Sequence, residues 1–131
     1  GGVYLTVRDE DKENLVPVAE SLRELGFTLY ATPGTADVIR SAGVEVQTVY
    51  RIAERKHPDA LDLMRTDQVS FIVNIPTISG GAVRDGNMMR RLAVEMNIPF
   101  VTTMSGAVME VSAIKAMKEV ELQPMRLKVN Y

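Results

Sequence analysis

Two periodicities alternate along the chain. Val3-Tyr4-Leu5-Thr6-Val7 is a short β-branched and aromatic run, the pattern of a buried strand. From Asp11 the spacing changes: Leu15, Val18, Ala19, Leu22 and Leu25 recur every three or four residues and predict an amphipathic helix that stops at Gly26. Residues 27–31 return to a strand pattern. Thr32-Pro33-Gly34-Thr35 then forms a turn, with Thr35 placed to cap a helix that runs through Arg40. Gly43 closes that helix, and residues 44–50 predict a third strand.

The segment 51–59 is polar, contains Lys56-His57-Pro58 and predicts a loop. Ala60, Leu61, Leu63 and Met64 follow on one side of a short helix. Residues 69–75 are continuously apolar, as expected of a parallel strand covered on both faces. Residues 77–85, around Ser79-Gly80-Gly81, predict a flexible loop; 87–97 predict a helix, 99–103 a strand and 112–120 a further helix. Residues 124–129 fit either a last strand or a docked tail. Strands alternating with helices throughout predict an α/β layered domain with a mostly parallel sheet and right-handed crossovers.

Composition narrows the function more than the fold. The chain has 131 residues, 46% of them hydrophobic and 24% charged, which suits one globular domain over residues 1–131. Fifteen basic residues against 17 acidic ones leave a formal net charge of −2. That balance argues against nucleic-acid and anionic-membrane partners, yet permits a small anion held by local groups. The absence of cysteine removes disulfides, thiolate metal sites and cysteine nucleophiles, and a single histidine argues against a transition-metal site. No stretch approaches the roughly 18 apolar residues of a membrane span, and no charged-then-apolar leader opens the sequence. The expectation is a cytoplasmic protein, and the start on Gly1 suggests an excised fragment.

In open α/β sheets ligands bind at the carboxyl ends of strands, where helix N-termini aim free N–H groups. Four polar clusters fall at such ends: Thr6 with Arg8-Asp9-Glu10-Asp11-Lys12, the Thr32–Thr35 turn, Asn74 with the Gly-rich loop, and Thr102-Thr103 with Ser105-Gly106. Gly34 permits close backbone approach, and the hydroxyls of Thr32 and Thr35 beside a helix N-terminus suit a phosphate. The same residues equally suit a capped turn that binds nothing. Lys12 either delivers a charge there or is solvated. Asp9, Glu10 and Asp11 read as helix-start acids. Asn74 either satisfies loop backbone or meets a sugar or base, and His57 reads as a surface residue. Met88, Met89 and Met104 are core filler or line a pocket or interface.

Together these pieces resemble a known family. The runs Leu5-Thr-Val-Arg-Asp-Glu-Asp-Lys12, Gly26-Phe-Thr-Leu-Tyr-Ala-Thr-Pro-Gly-Thr-Ala36, Ala42-Gly-Val-Glu-Val46, Phe71-Ile-Val-Asn-Ile-Pro76 and Ile98-Pro-Phe-Val-Thr-Thr103 are similar to the methylglyoxal-synthase-like domain that ends the carbamoyl-phosphate synthetase large subunit. The resemblance implies a three-layer fold with a five-stranded, mostly parallel sheet flanked by helices. It implies an allosteric domain, not itself catalytic, which tunes carbamoyl phosphate synthesis for pyrimidine and arginine production. Its effectors would be UMP or IMP and, in some members, ornithine.

The effector-binding residues it implies are Thr6, Lys12, Thr32, Gly34, Thr35, Arg51, Asn74 and Thr102. No cofactor is expected in this domain, with ATP and a divalent metal used elsewhere in the parent enzyme. The implied partners are the other large-subunit domains, the glutaminase small subunit and oligomer contacts. Two positions depart from the pattern: Pro76 stands where a hydroxyl residue often holds the nucleotide, and Phe100 replaces the tyrosine associated with ornithine.

The resemblance also offers an enzyme, since methylglyoxal synthase eliminates phosphate from dihydroxyacetone phosphate on this fold. Asp9, Lys12, Asp59 and Asp85 match its pieces, but Arg8 and Ala82 or a neighbour stand where it has histidines. A purine-synthesis cyclohydrolase domain matches less well, its Ser-x-x-Asp-Lys opening being only loosely met by residues 6–12. A third role, assembly of the synthetase without effector binding, predicts an exposed apolar patch.

Overall fold

A computed structural model describes residues 1–78 and 81–129. The chain runs β1 (Gly2–Val7), α1 (Lys12–Glu24), β2 (Thr28–Ala31), α2 (Pro33–Ser41), β3 (Gln47–Thr48), α3 (Ala60–Arg65), β4 (Phe71–Ile75), α4 (Gly81–Met96), β5 (Phe100–Val101) and α5 (Met104–Val129). The five strands form one sheet in the order β3-β2-β1-β4-β5, and every pair is parallel.

Strand alternation sends side chains to two separate cores. Val3, Leu5 and Val7 of β1 and Phe71, Val73 and Ile75 of β4 pack under α1, α2 and α5, against Leu15, Leu22, Ile39 and Val111. Tyr4, Tyr30 and Ile72 point the other way, onto Leu63 and Met64 of α3 and Met89 and Ala93 of α4. Both faces of β1 and β4 are therefore dry, which is why these strands read as apolar runs. β1 is the strand from which the order reverses. Its successor β2 lies on one side and β4 on the other, so a crevice opens beyond the C-terminal ends of β1 and β4.

Several expected boundaries move. The third strand shrinks to Gln47–Thr48, with Tyr50 forming only an isolated bridge to Asp59. The predicted loop 51–59 contains a one-turn 3-10 helix, Ile52–Glu54. α4 begins at Gly81, inside the stretch expected to be loop. α5 begins at Met104 because the Thr103 hydroxyl accepts the Gly106 N–H at 3.0 Å, so Thr103 caps a helix where sequence suggested a ligand loop. That helix also absorbs 124–129, predicted as strand or tail: Pro124 forfeits one ladder bond, while Leu, Gln, Met, Arg and Lys around it favour helix. Among the described residues no helix is long and apolar enough to cross a membrane.

Candidate functional site

The crevice beyond β1 and β4 is a cavity of about 390 Å³. Thr6, Lys12, Thr32, Gly34, Thr35, Arg51 and Asn74 all line it, together with Tyr4, Arg8, Asp9, Pro76, Asp85 and Met89. Thr102, beyond β5, is exposed and is not among the lining residues. Segments far apart in sequence meet here because β1, β2 and β4 are neighbours in the sheet, with residues 51–53 and α4 completing the lining.

The first wall is cationic. Lys12 is the first residue of α1, and its ammonium lies so close to Gly34 that a Cβ there would meet Nζ at 3.2 Å. Gly34 and Thr35 occupy the second and third positions of α2, where backbone N–H groups have no intrahelical acceptor, and Pro33 before them has no N–H at all. A lysine over two free N–H groups at the positive end of a nine-residue helix is an arrangement that suits an anion.

The threonines behave differently from their expected parts. Thr35 is not the cap of α2; Thr32 holds that position, without a side-chain cap bond. The Thr35 hydroxyl, almost wholly buried, accepts the Val7 N–H at 3.2 Å and lies 3.4 Å from the Val7 carbonyl. It ties α2 to the end of β1, and its backbone N–H rather than its hydroxyl is the group left for a ligand. Thr6 and Thr32 share a hydrogen bond between hydroxyls at 3.0 Å, leaving each with further capacity toward the cavity.

The helix-start acids also pair more specifically than sequence suggested. They form a 3-10 turn, Asp9–Asp11, ahead of α1. Asp11 accepts from Arg8 Nε at 2.6 Å, and Asp9 accepts from Lys12 Nζ. That Lys12 contact holds the Asp9 carboxyl below the usual carboxylate range.

The far wall is carboxylate and amide. Asp85 of α4 accepts the Ala53 N–H at 3.3 Å, and burial pushes its carboxyl up, against the pull of that bond and of Arg84 and Arg51. Burial likewise pushes the Tyr4 phenol far up, reinforced by Asp85 and Asp59, so it stays a neutral hydroxyl. Asn74 is buried beside Gly86 of α4, where a Cβ would meet its Nδ2 at 2.6 Å. Gly86, which packs against this lining residue, falls between the predicted loop 77–85 and the predicted helix 87–97, and sequence reasoning did not single it out.

Other candidates lie elsewhere. Asp59 caps α3 by accepting the Asp62 N–H at 3.0 Å, and it does not line the cavity. His57 is exposed and bonds Asp62 at 2.5 Å. Of the methionines, Met89 lines the cavity, Met104 packs against the α1-side core and Met88 is exposed. Phe100 sits under the Arg90 guanidinium, 5.2 Å from its ring centroid, and is not a lining residue.

The chain has counterparts among known proteins. The family model of the MGS-like domain matches residues 14–102. The chain belongs to the MGS-like domain family. It is 46% identical over 123 residues to the carbamoyl phosphate synthase large chain, C-terminal section, of Methanocaldococcus jannaschii, a match covering 93% of this chain and 20% of that one. The corresponding protein of Methanopyrus kandleri is 40% identical over 119 residues, covering 91% and 22%. The chain therefore spans about a fifth of the length of these relatives. Among solved structures, methylglyoxal synthase from Elizabethkingia anophelis superposes with a TM-score of 0.65 at 20% identity, covering 85% of this chain and 76% of that one. At that identity the likeness bears on the fold.

Proposed function

We propose that this MGS-like domain is the allosteric effector-binding part of a carbamoyl-phosphate synthetase large chain, and that it takes a phosphate-bearing nucleotide of the UMP or IMP type. The observation that carries this reading is the Lys12 ammonium standing over the free N–H groups of Gly34 and Thr35. A phosphate there would gain a charge-assisted bond and the helix dipole. Asn74, Asp85 and Arg51, which also line the cavity, supply donors and acceptors for a sugar or base. The synthetase relatives favour a regulatory role, as does the lack of an imidazole in the cavity: the chain's single histidine is spent on Asp62.

Regulation would follow from population shift. An effector that binds one orientation of this domain, relative to the synthetase body, better than another changes which one dominates, by as much as its two affinities differ. The partners in this reading are the remaining large-chain domains and the glutaminase subunit, in the cytoplasm, serving pyrimidine and arginine synthesis. The domain itself would need no cofactor, ATP and a divalent metal acting in the parent enzyme.

Calorimetric titration of the chain with UMP and IMP tests this, beside an assay for methylglyoxal from dihydroxyacetone phosphate. Saturable binding weakened at least tenfold in Lys12→Ala, the usual scale for one charge-assisted bond, is the expected result, with no turnover. Turnover would assign the cavity to catalysis instead, through Asp9 and Asp85. Neither binding nor turnover would leave an assembly role or an effector of another kind.

A further inference from the structure

The cavity's principal cation is not free. Lys12 Nζ is paired with Asp9, three residues earlier and across one 3-10 turn. The two partners are unequally placed: the Lys12 side chain is 16% exposed, the Asp9 side chain 86%. The neighbouring pair is the reverse, with Asp11 sheltered at 15% exposure, held by Arg8 and absent from the cavity lining. Asp11 thus fixes the turn, while Asp9 stands at the solvent side of the cavity.

We propose that Asp9 is a displaceable counterion: its carboxylate holds the Lys12 ammonium over Gly34 until a phosphate-bearing ligand takes the ammonium and releases Asp9 to water. This rests on the reading that the cavity accepts such a ligand. Releasing Asp9 loses little, because an exposed ion pair is weak and a freed carboxylate regains its hydration. The incoming phosphate carries up to two negative charges against one and adds the Gly34 and Thr35 N–H groups, so it wins the ammonium. Asp9 therefore sets the affinity below which weak anions do not occupy the site. A monoanion offering no more charge than Asp9 itself gains least from the exchange.

The experiment has one arm with ligand and one without. In calorimetric titration with UMP and IMP, Asp9→Asn is expected to bind about threefold tighter than wild type, the scale of one exposed pair. Glu13→Gln, which removes an exposed first-turn acid outside the cavity, is expected to change nothing. In carbon-13 carboxyl NMR titrations of the free chain, Asp9 is expected to titrate below the usual carboxylate range. It should return to that range in Lys12→Met and when nucleotide saturates the wild type. An ordinary Asp9 titration in the free chain overturns the proposal, as does an equal gain in Glu13→Gln. Wild-type binding that Asp9→Asn leaves unchanged overturns it alone. Absence of binding in both proteins overturns the phosphate reading as well.

Discussion

Asn74, which lines the cavity, and Gly86 of α4 meet so closely that any side chain at position 86 must displace the amide: a Cβ on Gly86 would lie 2.6 Å from Asn74 Nδ2. The contact joins the end of β4 to α4 and fixes where the amide points. It also explains a glycine in the middle of a 16-residue helix, where glycine costs about 1 kcal/mol relative to alanine.

Gly86→Ala therefore has opposed effects. The alanine gains helix propensity, and the atom it strikes is the end of a side chain that can swing into the cavity. Thermal unfolding is expected to move little, within about 1 kcal/mol of stability. Nucleotide affinity is expected to fall about tenfold as the amide enters the ligand's space. Unchanged affinity with a folded protein would mean that Asn74 does not face the ligand.

Thr35→Val tests the correction at the α2 terminus. It keeps the shape but leaves the Val7 N–H without its 3.2 Å acceptor inside the core. The expected cost is about 1–3 kcal/mol in denaturant unfolding without any ligand present, with Thr35→Ser keeping most of the stability. Full stability in Thr35→Val would show that the hydroxyl is not structural.

His57 and Asp62 give a pH prediction. The hydrogen bond that the imidazole donates to the Asp62 carboxylate raises His57 above its ordinary value of 6.5, and the same contact lowers Asp62 below 3.8. The imidazolium contribution is fully present below the ordinary histidine value and is lost as pH rises through the higher folded value. The Asp62 contribution is present above its ordinary value and is lost as pH falls through the lowered one. Because the histidine is exposed, the change in Tm is small. Proton NMR of the imidazole is the sharper measurement: a midpoint above 6.5 that drops toward it in Asp62→Asn is expected. A wild-type midpoint at or below 6.5 contradicts the pair.

Lys12 and Gly34 meet only in the folded chain, which makes Gly34→Ala informative. Its Cβ would press on Lys12 Nζ at 3.2 Å, so the ammonium must give by a few tenths of an ångström. A several-fold loss of UMP or IMP affinity is expected in calorimetry, with the melting temperature held by the better helix former. Affinity equal to wild type would show that Lys12 has room to spare over the helix terminus.

The sequence by itself determined the alternation of elements, because short continuous apolar runs at Val3–Val7 and Phe71–Ile75 and three- and four-residue apolar spacing over Leu15–Leu22 are written into it. It also determined which strand ends carry polar groups, and seven of its eight proposed site residues line one cavity because adjacent parallel strands bring such ends together. Thr102 missed because β5 lies at the sheet edge, beyond β4 from the crevice. Only the tertiary structure decided the hydrogen bonds. Thr35 looked like a cap because local sequence cannot show that Val7, 28 residues away, lies beside it. Gly86 fell outside the predicted helix and Gly106 looked like loop because propensity counts a glycine's cost and not the neighbour that requires it. At Gly86 that neighbour is Asn74, and at Gly106 it is Val101, whose Cγ1 would lie 2.9 Å from a Cβ. Pattern along the chain sets which face is buried; which polar atom answers which is set by distances between segments that only folding fixes.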